Sequence, residues 1–326
     1  MEKFSWRLTI KTNILVLRLL GLWPKLNEGY KFNLYTFYSF SMKAFADGNN
    51  LCQTIYIFYI YSDLEALAAI IFVLFTLCLD SVKAYYFIRQ IRILKELMVE
   101  LESKEFQPTQ HQRHLVQPML NVWTFMYKTL WFTYGTTVLL IAVFPVMDGS
   151  FHEHRLPFFA WYPYDTTISP FYEITYFYQI FSVSFLAMVS INVDTLIAAL
   201  MVFTMSQCDI LCDNLKNLST CKHSDYREKL INCIKHHQKI LRFTKKSNQF
   251  FNEIVLGQFF ASSASLAMAF FQLTVVEPLS SEFYSLLFYV ASITSQIALY
   301  CWFGNEVEVR VSFNQYFTNC VEKQIT

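Results

Sequence analysis

The chain has 326 residues, of which 54% are hydrophobic, 18% aromatic and only 16% charged, with a formal net charge of +1. Soluble domains carry about a quarter charged residues, so a chain this apolar cannot cover its surface with polar side chains and reads as an integral membrane protein. The balance of charge is uninformative; its distribution along the chain is not.

Residues 1–31 are basic and lack a small-residue cleavage site after an apolar core. No cleavable signal peptide is expected there, and residues 14–22 are expected to form a cytoplasmic or interfacial helix. A helix needs ~20 apolar residues at ~1.5 Å each to cross a bilayer core. Spans are therefore expected at about 32–62, 66–88, 121–147, 174–203, 251–276 and 283–305. Lys43 and Asp47 interrupt the first, and Asp80 and Lys83 the second. Their spacings of four and three put each pair on one helical face, where they can neutralise one another.

From residue 174 to residue 207 the only charge is Asp194. That makes a helix of roughly 50 Å against a core of ~30 Å, so it must project well beyond the membrane. Leu211, Leu215 and Leu218 then form one narrow apolar stripe, and Leu230, Ile234, His237, Leu241 and Thr244 a second. Such stripes between basic faces suit helices packing on one another in water. A cytoplasmic helical subdomain at 204–250 is expected, between a cytoplasmic segment at 1–31 and a tail at 306–326, with the transmembrane domain filling 32–305.

Lysine and arginine set the orientation. Twenty-three of the 26 lie before residue 32, at 83–121, at 204–250 or after 305, whereas the segments 63–65, 148–173 and 277–282 hold Arg155 against eight acids. By the positive-inside rule the N-terminus is cytoplasmic. The fold class is all-α, a polytopic transmembrane helix bundle. None of the eight cysteines falls in an outer segment, so no disulfide framework is expected. The sequon Asn217-Leu218-Ser219 lies on the inner side and is expected to stay unmodified. Residues 148–173 hold Pro157, Pro163 and Pro170 among aromatics and read as an ordered outer lid.

Chemistry is sparse. His152, Glu153 and His154 read as a solvated loop rather than a metal site, and His236 and His237 point about 100° apart on a helix. Cys208 and Cys212 lack a second pair at fitting spacing. The chain has no glycine-rich phosphate loop, G-x-S-x-G or H-E-x-x-H, so neither an enzyme nor a cofactor is expected. Asp80 and Asp194 lie toward the inner ends of their spans, Asp80 paired with Lys83 and Asp194 meeting interfacial water. The aromatics are the informative surplus. Tyr178, Phe181 and Phe185 on the fourth span, and Tyr284 and Phe288 on the sixth, suit a belt or an outer-half pocket with few polar groups (Ser184, Thr294). Phe72, Phe75, Tyr134 and Val138 face the same depth from the second and third spans. Such a pocket suits small hydrophobic, volatile ligands.

Several stretches resemble the insect odorant receptor family. One is Tyr300-Cys301-Trp302-Phe303-Gly304-Asn305-Glu306-Val307, preceded by Gln296. A second is Trp161-Tyr162-Pro163-Tyr164-Asp165, followed by Ser169-Pro170 and Tyr172-Glu173. A third is Gln207-Cys208-Asp209-Ile210-Leu211, continued at Cys233-Ile234-Lys235-His236-His237-Gln238, and Asp63-Leu64-Glu65-Ala66-Leu67 fits as well. The motifs are co-linear from about residue 15 to 307.

The resemblance implies a seven-helix subunit of a ligand-gated, non-selective cation channel, tetrameric with the shared odorant receptor co-receptor. It implies an odorant pocket among helices two, three, four and six, a pore lined by helix seven, and a multi-pass protein of the plasma membrane of olfactory neuron dendrites. In the family a seventh span follows the Val307 region, whereas residues 308–326 hold four charges and no run able to cross a membrane; a chain truncated before that helix is the expectation. A gustatory-type receptor of the same superfamily and a non-conducting fragment are the alternatives. A G-protein-coupled receptor would need an outside N-terminus, and a transporter would be expected to break its helices with more glycine and proline.

Overall fold

A computed structural model describes residues 5–24, 33–60, 64–147, 149, 151, 153–220 and 223–323. Eight α-helices follow in order: α1 (Trp6–Thr9), α2 (Lys11–Leu19), α3 (Leu34–Ile57), α4 (Leu64–Leu101), α5 (Arg113–Met147), α6 (Phe171–Lys216), α7 (His223–Val275) and α8 (Ser281–Lys323). Single 3-10 turns lie at Lys104–Phe106 and Asn217–Thr220, and no strand occurs among the described residues. The six long helices alternate in direction. Their connections α3–α4, α5–α6 and α7–α8 share one end of the bundle, here the loop end; the opposite end is the stem.

Helix starts are set locally. The Asn33 carboxamide accepts the Thr36 amide at 2.9 Å, and the Ser280 hydroxyl accepts the Phe283 amide at 3.1 Å, each filling an amide that the first turn leaves unpaired. Lys43 and Asp47 pair on α3 as their spacing predicts.

The central element is α6, 46 residues long. Every residue from 189 to 208 is buried, as expected of a helix that is apolar on all sides. Helices α4, α5, α7 and α8 pack around it, and α2 tucks against its middle, where the Asn13 amide donates to the Thr195 hydroxyl at 2.7 Å. Helices α6, α7 and α8 each contain a stretch long and apolar enough to cross a membrane.

At the stem, α4 and α7 pack along their length. Phe87, Leu94, Leu97 and Leu101 recur at helical spacing and are fully buried; Phe87 meets Phe250, and Phe106 meets Phe243, edge-on or tilted at 6.0 and 5.7 Å. Each such side chain contributes ~1.5–3 kcal/mol where it leaves water. The Lys239–Glu105 pair at 2.6 Å and the Lys246–Glu96 pair at 3.6 Å only edge this contact, and exposed pairs add ~0–1 kcal/mol.

The second stripe lies on α7, which runs unbroken for 53 residues. Its buried face is wider than the expected stripe. Leu230 and His237 are buried as expected, Cys233, His236, Ile240, Phe243, Ser247 and Phe250 are buried as well, and Leu241 is 36% exposed. The tilt of α7 across α4 selects the wider face that carries the two phenylalanines.

Candidate functional site

Between the helices near the loop end lies a cavity of about 660 Å³. Helix α4 contributes Ile70, Val73, Thr76, Leu77 and Asp80, while α5 contributes Tyr134, Thr137, Val138, Ile141 and Pro145. From α6 come Val183 and Ala187, from α8 Leu286, Tyr289, Ser292 and Ile293, and the α5–α6 loop closes the space with residues 154–160. The wall mixes aliphatic and aromatic side chains with polar and charged ones, Asp80, Arg155 and Glu282 among them, and apolar walls with placed polar groups are the usual make-up of a small-molecule site.

The loop is anchored. The Gln179 side chain donates to the Phe158 carbonyl at 2.9 Å and accepts its amide at 3.0 Å. Tyr172 donates to the Arg155 carbonyl at 3.0 Å, and the Trp161 amide donates to the Cys52 carbonyl at 3.1 Å. Asp165 accepts the amide and hydroxyl of Thr167 at 2.9 and 2.6 Å, which holds its carboxyl below the usual range. Trp161 stacks on Tyr59 at 6.3 Å, and the Tyr162 hydroxyl donates to Asn49 at 3.2 Å. Pro163, next in the chain, is exposed at a bend.

Of the residues expected at a pocket, Tyr134 and Val138 line the cavity. Phe75, Phe181 and Tyr284 point outward, 41 to 44% exposed. Phe185 is buried in the helix core, Tyr178 packs on Phe45 at 4.7 Å, and Phe288 lies edge-on to Phe132 at 6.4 Å. Ser184 donates to its own helix at Ile180, and neither it nor Thr294 borders the space. The side chain of Phe72, residue His152 and residues 61–63 lie outside the described residues. The faces differ because an aromatic stripe fixes a helix's apolar side but not its rotation. On α6 the aromatic side meets α3 and the bundle surface, and the smaller Val183 and Ala187 border the space.

Below the cavity lies a buried polar network. The Lys83 ammonium is 2.9 Å and 3.0 Å from the Asp194 oxygens, 3.0 Å from the Ser190 hydroxyl and 3.6 Å from Asp80. Asp194 also accepts the Tyr300 hydroxyl at 2.6 Å and the Gln296 amide. Gln258 donates onward to Gln296 at 2.6 Å. Asp80, Lys83 and Asp194 are all at most 2% exposed. The expected Lys83–Asp80 pair is present at 3.6 Å, but Lys83 also bridges α4 to α6 through its closer contacts to Asp194, which is buried rather than met by water. Gln296 and Tyr300 gain a concrete role as Asp194 partners.

The rest of that motif faces elsewhere. Cys301 and Asn305 are exposed, and nothing approaches within 4 Å of a Cβ placed on Gly304. Glu306 holds Arg310 at 2.8 Å, and Arg310 reaches Asp209 of α6 at 3.1 Å. Near them, His236 shares a 3.0 Å hydrogen bond with Gln207. Burial lowers the His236 pKa to about 4, with Lys239 adding to the shift. Among the described residues no group of acids, histidines and cysteines could hold a metal.

Long apolar helices around an interior cavity place the chain among polytopic helical membrane proteins. The 7tm odorant receptor model matches residues 63–312, and the chain belongs to that family, one of receptors rather than enzymes. It is 25% identical over 342 residues to Odorant receptor Or1 of Anopheles gambiae, covering 93% of this chain and 81% of that one. It is 22% identical over 300 residues to Odorant receptor 46a, isoform A, of Drosophila melanogaster, covering 90% and 78%. The fold is similar to that of the olfactory receptor OR5 from Machilis hrabei, with a TM-score of 0.82 at 21% identity over 93% of this chain and 80% of that one. The structure of OR5 in complex with eugenol matches with a TM-score of 0.80 at 18% identity, over 96% and 89%.

Proposed function

We propose that this chain is an odorant-specific receptor subunit that binds small lipophilic volatiles in the cavity and, with the odorant receptor co-receptor, gates a non-selective cation channel. The observation that carries the reading is the 660 Å³ cavity, closed by an anchored loop and lined, apart from Gln53 and Tyr56 of α3, by residues within the stretch that the family model matches. The Machilis hrabei receptor has been solved with eugenol, and a molecule of that class fits a wall of this composition. Tyr134 and Val138 from α5, with Thr76, Tyr289 and Ile293, are the proposed ligand contacts.

The proposed orientation puts the stem in the cytoplasm and the loop end outside, in the plasma membrane of olfactory neuron dendrites. The charge distribution supports it, since the stem holds most of the lysine and arginine.

The test is whole-cell current in cells expressing this chain with the co-receptor, beside cells expressing the co-receptor alone, challenged with a broad odorant panel. The expected result is an odorant-evoked cation current that requires this chain. Silence despite confirmed surface expression overturns the receptor reading. A glycosidase-sensitive shift that Asn217→Gln abolishes would overturn the orientation.

A further inference from the structure

The space just described is not neutral at its stem end. On α4 the lining residue farthest from the loops is Asp80, on α5 it is Tyr134 and on α6 it is Ala187. Asp80 and Asp194 share a single ammonium, that of Lys83. Lys83 makes its close contacts to both oxygens of Asp194 and to Ser190, leaving Asp80 at 3.6 Å. Lys43, the next cation on the neighbouring helix, is committed to Asp47. With both carboxyls ionised, the cluster holds two negative charges against one positive, beside the cavity.

An uncompensated charge in a low-dielectric interior is expensive unless a partner reaches it. A hydrogen-bonding group stands beside this end of the wall. The Tyr134 hydroxyl lines the space on a residue 8% exposed, near a Ser190 hydroxyl that already donates to Asp194. The Tyr134 hydroxyl can accept an N–H, and the rings of Tyr134 and Tyr289 offer faces to a cation. The loop-end segments carry eight acids against Arg155, a field that draws cations toward the site. Arg155 itself pairs with Glu153 at 3.0 Å.

We propose that the stem end of the cavity binds the protonated nitrogen of a small lipophilic amine, with Asp80 as its counter-charge and Tyr134 as its hydrogen-bond partner. The aliphatic wall takes the hydrocarbon body. This rests on the cavity being the ligand site, and it assigns the class of ligand.

The test uses the purified full chain in nanodiscs of neutral lipid, with empty nanodiscs subtracted. Calorimetric titration compares matched probes, 2-phenylethylamine with 2-phenylethanol and cyclohexylmethylamine with cyclohexylmethanol. The expected result is that each amine binds at least tenfold tighter than its alcohol, and that Asp80→Asn brings each amine to within twofold of its own alcohol. Tyr134→Phe is expected to weaken the amines several-fold and gives a second measure should Asp80→Asn not fold. Alcohols that bind as tightly as the amines in the unaltered chain would overturn the amine assignment and leave the receptor reading standing. Binding of neither probe class would overturn both.

Discussion

The Lys83 ammonium sits 2.9 Å from one carboxylate oxygen of Asp194 and 3.0 Å from the other, between helices that cross 111 residues apart in the chain. Removing one partner of a buried pair leaves the other charge without compensation, a loss of ~3–5 kcal/mol. Lys83→Met is expected to lower the thermal midpoint of the detergent-purified protein by several degrees. Lys83→Met with Asp194→Asn is expected to recover part of that loss, since the Asp194 charge is then gone and only Asp80 has lost its cation. A double variant no more stable than the single one would mean that the pair is not what ties α4 to α6.

Tyr300 reports on the same carboxylate. Its hydroxyl donates to Asp194 at 2.6 Å, and a hydrogen bond to a charged acceptor is worth ~1.5–3 kcal/mol. Tyr300→Phe keeps the ring and removes that bond. Its expected effect is a smaller drop in thermal midpoint than that of Lys83→Met, and almost no further drop when combined with Asp194→Asn. Additive losses would place the tyrosine's contribution in packing instead.

How far the sequence reaches is visible in these residues. The places of the long helices follow from apolar length, and the family follows from co-linear motifs such as Gln296 with Tyr300. Lys83 was legible as a charge needing a partner, but periodicity finds only partners on the same helix. Choosing Asp194 over Asp80 requires the α4–α6 crossing, which no local pattern encodes. Of the cavity wall, Tyr134 and Val138 were legible and the α6 and α8 faces were not, for a related reason. Bulk and aromaticity mark a side chain as apolar, yet a void opens where side chains such as Val183 and Ala187 are small, and only helix rotation says which face that is.

A glycine sets how closely α3 approaches α6. A Cβ at Gly48 would stand 2.7 Å from the Tyr178 hydroxyl, which donates to the Phe45 carbonyl at 2.9 Å. Gly48→Ala must displace that hydroxyl, so a loss of ~1–3 kcal/mol is expected. Adding Tyr178→Phe removes the clashing atom. The double variant is therefore expected to melt above Gly48→Ala alone, and the reverse order would show that the backbone rather than the tyrosine yields.

His236 predicts a pH response at the stem. Burial holds its folded pKa at about 4 against an ordinary 6.5, so the folded state keeps the ring neutral while the unfolded chain takes up a proton. Stability is then fully present above pH 6.5, falls as pH drops through the unfolded value, and levels off below about 4. The total change is ~3 kcal/mol at ~1.4 kcal/mol per unit. Glu105, the acid whose charge opposes the shift, itself has a pKa of about 2 through its hydrogen bond from Lys239, so it stays ionised across this window. Thermal midpoints at pH 7.5, 6 and 5 are expected to fall together with pH, and more shallowly in His236→Gln. Equal slopes in the two proteins would assign the response to other groups.

Filling the cavity separates ligand contact from packing. Val138 lines the space and is half-buried, so the added volume of Val138→Trp is directed at the void rather than at close-packed atoms. Overpacking a filled core costs ~1–3 kcal/mol; a void accommodates the ring for less. Ligand potency is expected to fall at least tenfold with surface expression unchanged. Phe185 provides the opposite control. It is 4% exposed in the helix core and does not border the cavity, so Phe185→Ala is expected to lose ~3–5 kcal/mol of stability while the surviving protein keeps its ligand potency. Phe181→Ala and Tyr284→Ala, at exposed positions, should change neither. If Val138→Trp left potency intact and Phe181→Ala reduced it, the ligand would lie on the aromatic side of α6 instead, against α3.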